Sequence, residues 1–171
     1  MLRRLAARIS AAVRHALGAA PAAEPPGAAS GADDAGRSPG RYAGDFTGTA
    51  TVHYAPDPDG EPDPGEIVWT WVPYEEDHSQ GKDRPVLIVG RRRSALLALM
   101  LTSKDHDGRA RQDDYVDIGT GAWDPRQRPS EVRIDRVLQI DPAAVRREGA
   151  ILPRARFDLV AAQLRTRRGW R

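Results

Sequence analysis

The sequence contains no cysteine, which removes disulfides, thiolate zinc sites and cysteine nucleophiles together. That absence fits a reducing compartment, and the expected location is cytoplasmic. No run of about 18 uncharged apolar residues occurs, so no helical segment is expected to span a bilayer. Histidines are few and scattered, at 15, 53, 78 and 106. Asp105-His106-Asp107 has no matching ligand cluster, so neither a metal nor any other cofactor is expected. Large apolar residues are missing from 21–40, a stretch of Ala, Pro, Gly and Asp that buries too little surface to offset the entropy of ordering.

What is present is unevenly spread. The formal charge is only +2, yet 56–66 carries five acids and no base, whereas 142–171 carries eight arginines against two acids, a net of +6. A basic end of that size favours a polyanionic partner, although a solvated charged face gives the same pattern. Residues 1–20 set Leu2, Leu5, Ile9, Val13 and Leu17 three and four apart with arginines between them, the pattern of an amphipathic helix. Such a helix could lie on a membrane or bind a partner; a mobile tail or an over-long reading frame is the favoured reading. A secretory signal is disfavoured, because Arg8 and Arg14 interrupt what would be its uncharged core.

Residues 1–64 are therefore expected to be an amphipathic segment and a mostly disordered linker, with the folded domain at 65–171. Within the linker, 46–54 alternates with period two and would make a short edge strand, weakened by Gly48. Residues 55–64 read as a stiff, acidic, proline-punctuated spacer. The domain opens on a strand at 65–72, with Ile67, Trp69 and Trp71 on its buried face. A polar loop at 74–84 holds His78, Gln80, Gly81, Lys82, Asp83 and Arg84. An apolar strand follows at 85–89, and 95–101 is its hairpin partner across Arg91-Arg92-Arg93-Ser94. Strands are expected at 115–118 and 130–140, the latter bent near Asp135. Asp141-Pro142 caps a helical turn broken at Gly149, and a helix at 154–168 buries Phe157, Val160, Ala161 and Leu164. The fold class is mainly β: a small, curled antiparallel barrel with a C-terminal helix. About a hundred residues bury one modest core, and domains of that size are often marginal unless they dimerise.

Several motifs now line up in order and spacing. Gly65-Glu66-Ile67-Val68-Trp69, the run from His78 to Val89, Leu101-Thr102-Ser103, Val132-Arg133-Ile134-Asp135 and Ile140-Asp141 together resemble the PemK/MazF (Kid) family of type II toxin-antitoxin toxins. The resemblance covers Gly65 to Arg168 and is silent on the first 64 residues. It implies an SH3-like barrel, usually a homodimer, that cuts single-stranded RNA without a metal and is silenced by a cognate antitoxin, with which it can bind DNA. It also places a site on His78, Thr102, Ser103, Arg133 and Asp135, with Arg84 as the arginine before proline. Two departures stand out. Ser79 occupies the place of an acid common after the histidine, and Arg136 that of a glutamine usual after the Arg-x-Asp aspartate.

The residues themselves allow that chemistry. RNA is cut without metal when its own 2′-hydroxyl attacks the neighbouring phosphorus, which needs a base, positive groups for the phosphorane and an acid for the leaving 5′-oxygen. Asp135 is a candidate base, and Arg133 shares its sheet face because side chains repeat with period two; a structural ion pair has the same spacing. Guanidinium holds its proton, so Arg133 and Arg84 suit phosphate clamping, and His78 suits the acid or hydroxyl-orienting role. Thr102 and Ser103 can reach phosphate or a base edge, and Gln80, Gly81 and Lys82 are further substrate contacts. Trp123, in a Gly/Pro loop, is the candidate for stacking an unpaired base, while Trp69 and Trp71 are expected in the core. The competing reading, from another class, is a non-catalytic barrel that binds nucleic acid or protein.

Overall fold

The computed structural model describes residues 42–103 and 112–171, which lie within one compact unit beginning at Ser38. The pattern at 1–20, the linker at 21–40 and most of the charged loop before Tyr115 fall outside the described residues. Among the described residues six strands and one α-helix make the fold: β1 (Glu66–Pro73), β2 (Gly81–Arg92), β3 (Ala95–Thr102), β4 (Tyr115–Gly119), β5 (Ser130–Ile140), β6 (Val145–Ile151) and α1 (Arg154–Arg168). They form a single antiparallel sheet in the order β4-β5-β3-β2-β1-β6. The architecture is mainly β, a curled half-barrel with one C-terminal helix.

Both faces of the central strands are apolar, which is why β2 and β3 read as continuous hydrophobic runs and do not alternate. One face brings Ile67, Leu87, Val89, Leu97, Leu99, Val132 and Ile134 against the Phe157, Val160, Ala161 and Leu164 stripe of α1. The other gathers Val68, Val72, Val86, Ile88, Leu96, Ala98 and Leu138, with Tyr42 and Val145 packed on them. Curling comes from breaks in register, each of which adds residues to one strand and increases its twist. Val89 has no partner between the Ile88–Ala98 and Gly90–Leu97 pairs. In β5, Val132 faces Leu101 while Val137 faces Leu99, so Arg133 to Arg136 bulge past Met100, and the bend expected near Asp135 sits there. Gly169, at φ 65°, ends α1 in the left-handed conformation and donates its N–H to the Arg165 carbonyl.

Four expectations need correction. β2 begins at Gly81, which pairs with Pro73, so Lys82, Asp83 and Arg84 stand on a strand and not in a loop. Residues 145–151 are strand β6 on the edge of β1. The helical turn is only Pro142–Ala144, capped by the Asp141 carboxylate on Ala143 N–H, and Gly149 does not break it. Gly149 instead lets two backbones approach, since a Cβ there would lie 2.7 Å from the Ile67 carbonyl oxygen. The burial of β1 is reversed at its tryptophans: Val68, Thr70 and Val72 are buried, whereas Trp69 and Trp71 are only partly buried.

Residues 42–64 are the fourth correction. Expected to hold a short edge strand at 46–54 and a stiff spacer at 55–64 within a mostly disordered segment, they lie along the sheet as an ordered strap, in extended form with one bridge, Asp45 to Leu138. Phe46 and Val52 are buried in the main core. The strap's backbone is tied at three points: Phe46 N–H to Val137 C=O (2.8 Å), Val52 N–H to Arg171 C=O (2.7 Å) and Arg171 N–H to Ala50 C=O (3.0 Å). Trp170 adds its indole N–H to the Gly48 carbonyl and its ring edge-on to Phe46. Even the acidic spacer is anchored, by Ala55 N–H to Pro64 C=O and by the Arg91 guanidinium on Asp63.

Candidate functional site

The bulge in β5 decides which side chains face outward. Val132 and Ile134 point into the core, and the intervening Arg133 and Asp135 point the other way. There they form a two-point pair: Arg133 Nε to Asp135 Oδ1 at 2.6 Å and Nη2 to Oδ2 at 2.8 Å. Arg133 Nη2 also meets Glu75 Oε1 at 2.7 Å, just beyond β1. The Asp135 hydrogen bond, outweighing burial, pushes the Arg133 guanidinium further above its ordinary range, with the charges of Asp135 and Glu75 adding to it. Arg133 is thus a permanent cation, 12% exposed, holding a carboxylate that is 27% exposed.

After Asp135 the alternation fails, and Arg136 is driven inward to 6% exposure. A buried guanidinium needs partners. Arg136 finds both carboxylate oxygens of Asp45 on the strap (3.1 and 3.0 Å), the Pro73 carbonyl (2.8 Å) and Glu75 at 3.8 Å, while its Nη2 is buried unpaired. The Tyr42 hydroxyl donates to Asp45, and the Tyr42 ring packs edge-on against His78, with centroids 5.1 Å apart. Burial first, then Asp45, raises the Tyr42 hydroxyl well above the ordinary tyrosine range. Contacts therefore run unbroken from His78 through Tyr42, Asp45, Arg136 and Glu75 to Arg133 and Asp135. Two guanidiniums face three carboxylates here, so the cluster carries no surplus of positive charge.

A cavity of about 400 Å³ is lined by Trp69, Asp83 and Arg84 from β1 and β2, by Thr102 and Ser103 at the end of β3, and by Tyr115, Trp123 and Arg128. Tyr115 joins the two regions, because it faces Arg133 across the β4–β5 pair. Arg128 is held by Asp124, whose carboxyl that hydrogen bond lowers. Half-buried Arg84 has no ion-pair partner among the described residues, which leaves it available to an anion.

Of the sequence-predicted residues, Arg84, Thr102, Ser103 and Trp123 share the cavity, Arg133 and Asp135 form the adjoining pair, and His78 reaches that pair through the strap. Trp123 is not the free stacking surface expected of it: it is 3% exposed, with its N–H on Ser130 Oγ at 3.1 Å. Trp69, expected in the core, is the half-exposed ring at the cavity. Gln80 is occupied by the Asp77 carboxylate (2.7 Å), which also caps Ser79 and is lowered mainly by the Ser79 hydroxyl. Gly81 is structural, since a Cβ would lie 2.4 Å from the Val72 carbonyl oxygen, and Lys82 is exposed. Among the described residues no group of three or more His, Asp or Glu side chains is placed to hold a metal ion. Glu75, Asp45 and Tyr42 carried no sequence signal, because each acts through a partner distant in sequence. Arg136 stood out only as a departure from the family's pattern.

The sequence model of the PemK-like, MazF-like toxins of type II toxin-antitoxin systems matches residues 63–167. The chain belongs to this family. Among solved structures, the chain is similar to the Mycobacterium tuberculosis toxin MazF-mt6, at 16% identity and a TM-score of 0.43 over 59% of this chain and 93% of that one. It is also similar to the MazE-MazF crystal structure from Deinococcus radiodurans, at 23% identity and a TM-score of 0.42 over 65% and 95%. No curated protein matches its sequence. The PemK/MazF match begins at residue 63, so Tyr42, Asp45 and the buried Phe46 and Val52 of this MazF-like toxin all precede it. Arg136 is the residue that grips this strap, through the Asp45 carboxylate.

Proposed function

We propose that this PemK/MazF toxin is an endoribonuclease that cuts single-stranded RNA by attack of the 2′-hydroxyl, needing no metal for the step. The observation that carries the reading is the Arg133–Asp135 pair, turned outward beside a cavity that holds an unpaired Arg84. Asp135 takes the 2′-hydroxyl proton as the 2′-oxygen bonds to phosphorus. Arg133 and Arg84 bind the phosphoryl oxygens as negative charge builds, and His78 protonates the departing 5′-oxygen, or orients the attacking hydroxyl while solvent supplies that proton. The P–O5′ bond breaks, leaving a 2′,3′-cyclic phosphate and a 5′-hydroxyl. Thr102 and Ser103 position the RNA, and Trp69 offers a face to an unpaired base. Family membership supports the accompanying expectations: a homodimer, control by a cognate antitoxin, and action in the cytoplasm. No helix among the described residues is long and apolar enough to cross a membrane.

The test is incubation of the full chain with a long single-stranded RNA in EDTA, reading fragment ends, beside Asp135→Ala and Arg133→Ala. Discrete cuts ending in cyclic phosphate that fall by at least about a hundredfold in either variant support the reading. If the wild-type chain does not cut but still binds RNA or DNA, the non-catalytic binding module replaces it.

A further inference from the structure

We infer that Tyr42 is a positioning residue for His78, supplied by a strap that precedes the family-matched region. The inference rests on the ribonuclease reading and deepens it. Three observations carry it. His78 lies exposed in the turn between β1 and β2, where the bonds holding the turn, Tyr74 N–H to Gln80 C=O and the Asp77 cap on Ser79, leave its imidazole plane unset. The contact that sets it is the Tyr42 ring, standing at 82° to the imidazole with centroids 5.1 Å apart. Tyr42 in turn is fixed, through its hydroxyl on Asp45 and through the Asp45 carboxylate on buried Arg136.

The arrangement matters because Arg136 and Arg133 share Glu75. One rigid frame therefore references the histidine turn and the Arg133–Asp135 pair to each other, although they come from different strands. An edge-to-face contact of this kind is modest in energy. It is sufficient to select one ring orientation in an otherwise solvated turn. The groups facing His78 are the Tyr42 ring and its neighbour Asp77, whose carboxylate is turned to Ser79 and Gln80.

The test is a double-mutant cycle on the full chain, with Tyr42→Ala, Tyr42→Phe, His78→Ala and Tyr42→Ala/His78→Ala, measuring kcat and KM on an RNA oligomer and affinity for its uncleavable 2′-deoxy analogue. Tyr42→Ala is expected to lower kcat about tenfold with KM and analogue affinity little changed, as for a misplaced catalytic group. Tyr42→Phe keeps the ring but loses the hydroxyl bond to Asp45 that fixes it, and should recover only part of the rate. In the His78→Ala background the Tyr42→Ala loss should vanish, because the second change acts only through the first. A Tyr42→Ala loss that persists undiminished without His78, or a rate within about twofold of wild type, overturns the inference. Failure of the ribonuclease reading looks different: no cleavage by the wild-type chain. In that event the His78 ring-proton shifts in the NMR spectrum decide whether Tyr42 orients the ring, and unchanged shifts in Tyr42→Ala overturn the inference on their own.

Discussion

Truncating Phe46 to alanine removes a ring that is 3% exposed, stands edge-on to Trp170 at 5.8 Å and lies 4.8 Å beneath the Arg92 guanidinium. Buried phenylalanine-to-alanine changes cost about 3–5 kcal/mol, the sum of lost transfer energy and the cavity left behind. Here the walls of the cavity are an extended segment and the residues following α1, both able to move inward, so the lower end, about 3 kcal/mol, is expected. Domains of this size unfold with roughly 5–15 kcal/mol, so the change removes a large share of the total. At roughly 3 °C per kcal/mol, Tm falls by about 10 °C. The assay is urea unfolding of the full chain followed by tryptophan fluorescence, to which Trp170 contributes. Phe46→Leu serves as the milder control, with a loss of about 1 kcal/mol. A loss below about 0.5 kcal/mol for the alanine variant would refute the reasoning. The strap would then be a loosely laid appendage, and residues 63–167 would hold the fold without it.

Asp45→Ala leaves the buried Arg136 guanidinium with only the more distant Glu75 carboxylate, and should cost about 2 kcal/mol in the same unfolding assay; the mixed variant Asp45→Ala/Arg136→Gln should recover part of it. Trp69→Ala is expected to weaken RNA binding by about tenfold with little loss of stability. Trp123→Ala should instead lose about 3 kcal/mol in stability, a contrast that a thermal scan beside a binding titration resolves. Tyr42 should resist ionisation in an ultraviolet titration through pH 11, where exposed tyrosines ionise. Its raised hydroxyl means that the unfolded chain releases this proton first as pH rises. Its contribution to stability is therefore whole below about pH 10 and is lost progressively above it, a slope that Tyr42→Phe removes.

Helix α1 was fully legible in the sequence, because a stripe at 157, 160, 161 and 164 between proline and glycine admits one reading. The β2–β3 hairpin was legible for a similar reason, two short apolar runs about a basic turn. β6 was not: Arg147 and Glu148 break its hydrophobic pattern, and Gly149 reads as a stop until the Ile67 carbonyl is seen pressed against it. The two tryptophans of β1 misled because size suggested full burial, while the fully buried side chains of that stretch are Val68, Thr70 and Val72. The site divides in the same way. Arg133 and Asp135 could be paired from spacing alone, since they are neighbours on one strand. Asp45 and Arg136, 91 residues apart, could not. Nor could Tyr42 on His78, because a segment rich in glycine and threonine with two prolines nearby gives no sign of what it packs against.

The bonds that tie Gly48, Ala50 and Val52 to Trp170 and Arg171 join points about 120 residues apart, so they close a loop that takes in almost all of the folded chain. Loops of that span form late, and during synthesis they cannot form at all until residues 170 and 171 have been joined and have cleared the exit tunnel. At about 5–20 residues per second the strap waits several seconds or more with Phe46 and Val52 in water. The residues that clasp the strap are thus made after every strand of the sheet.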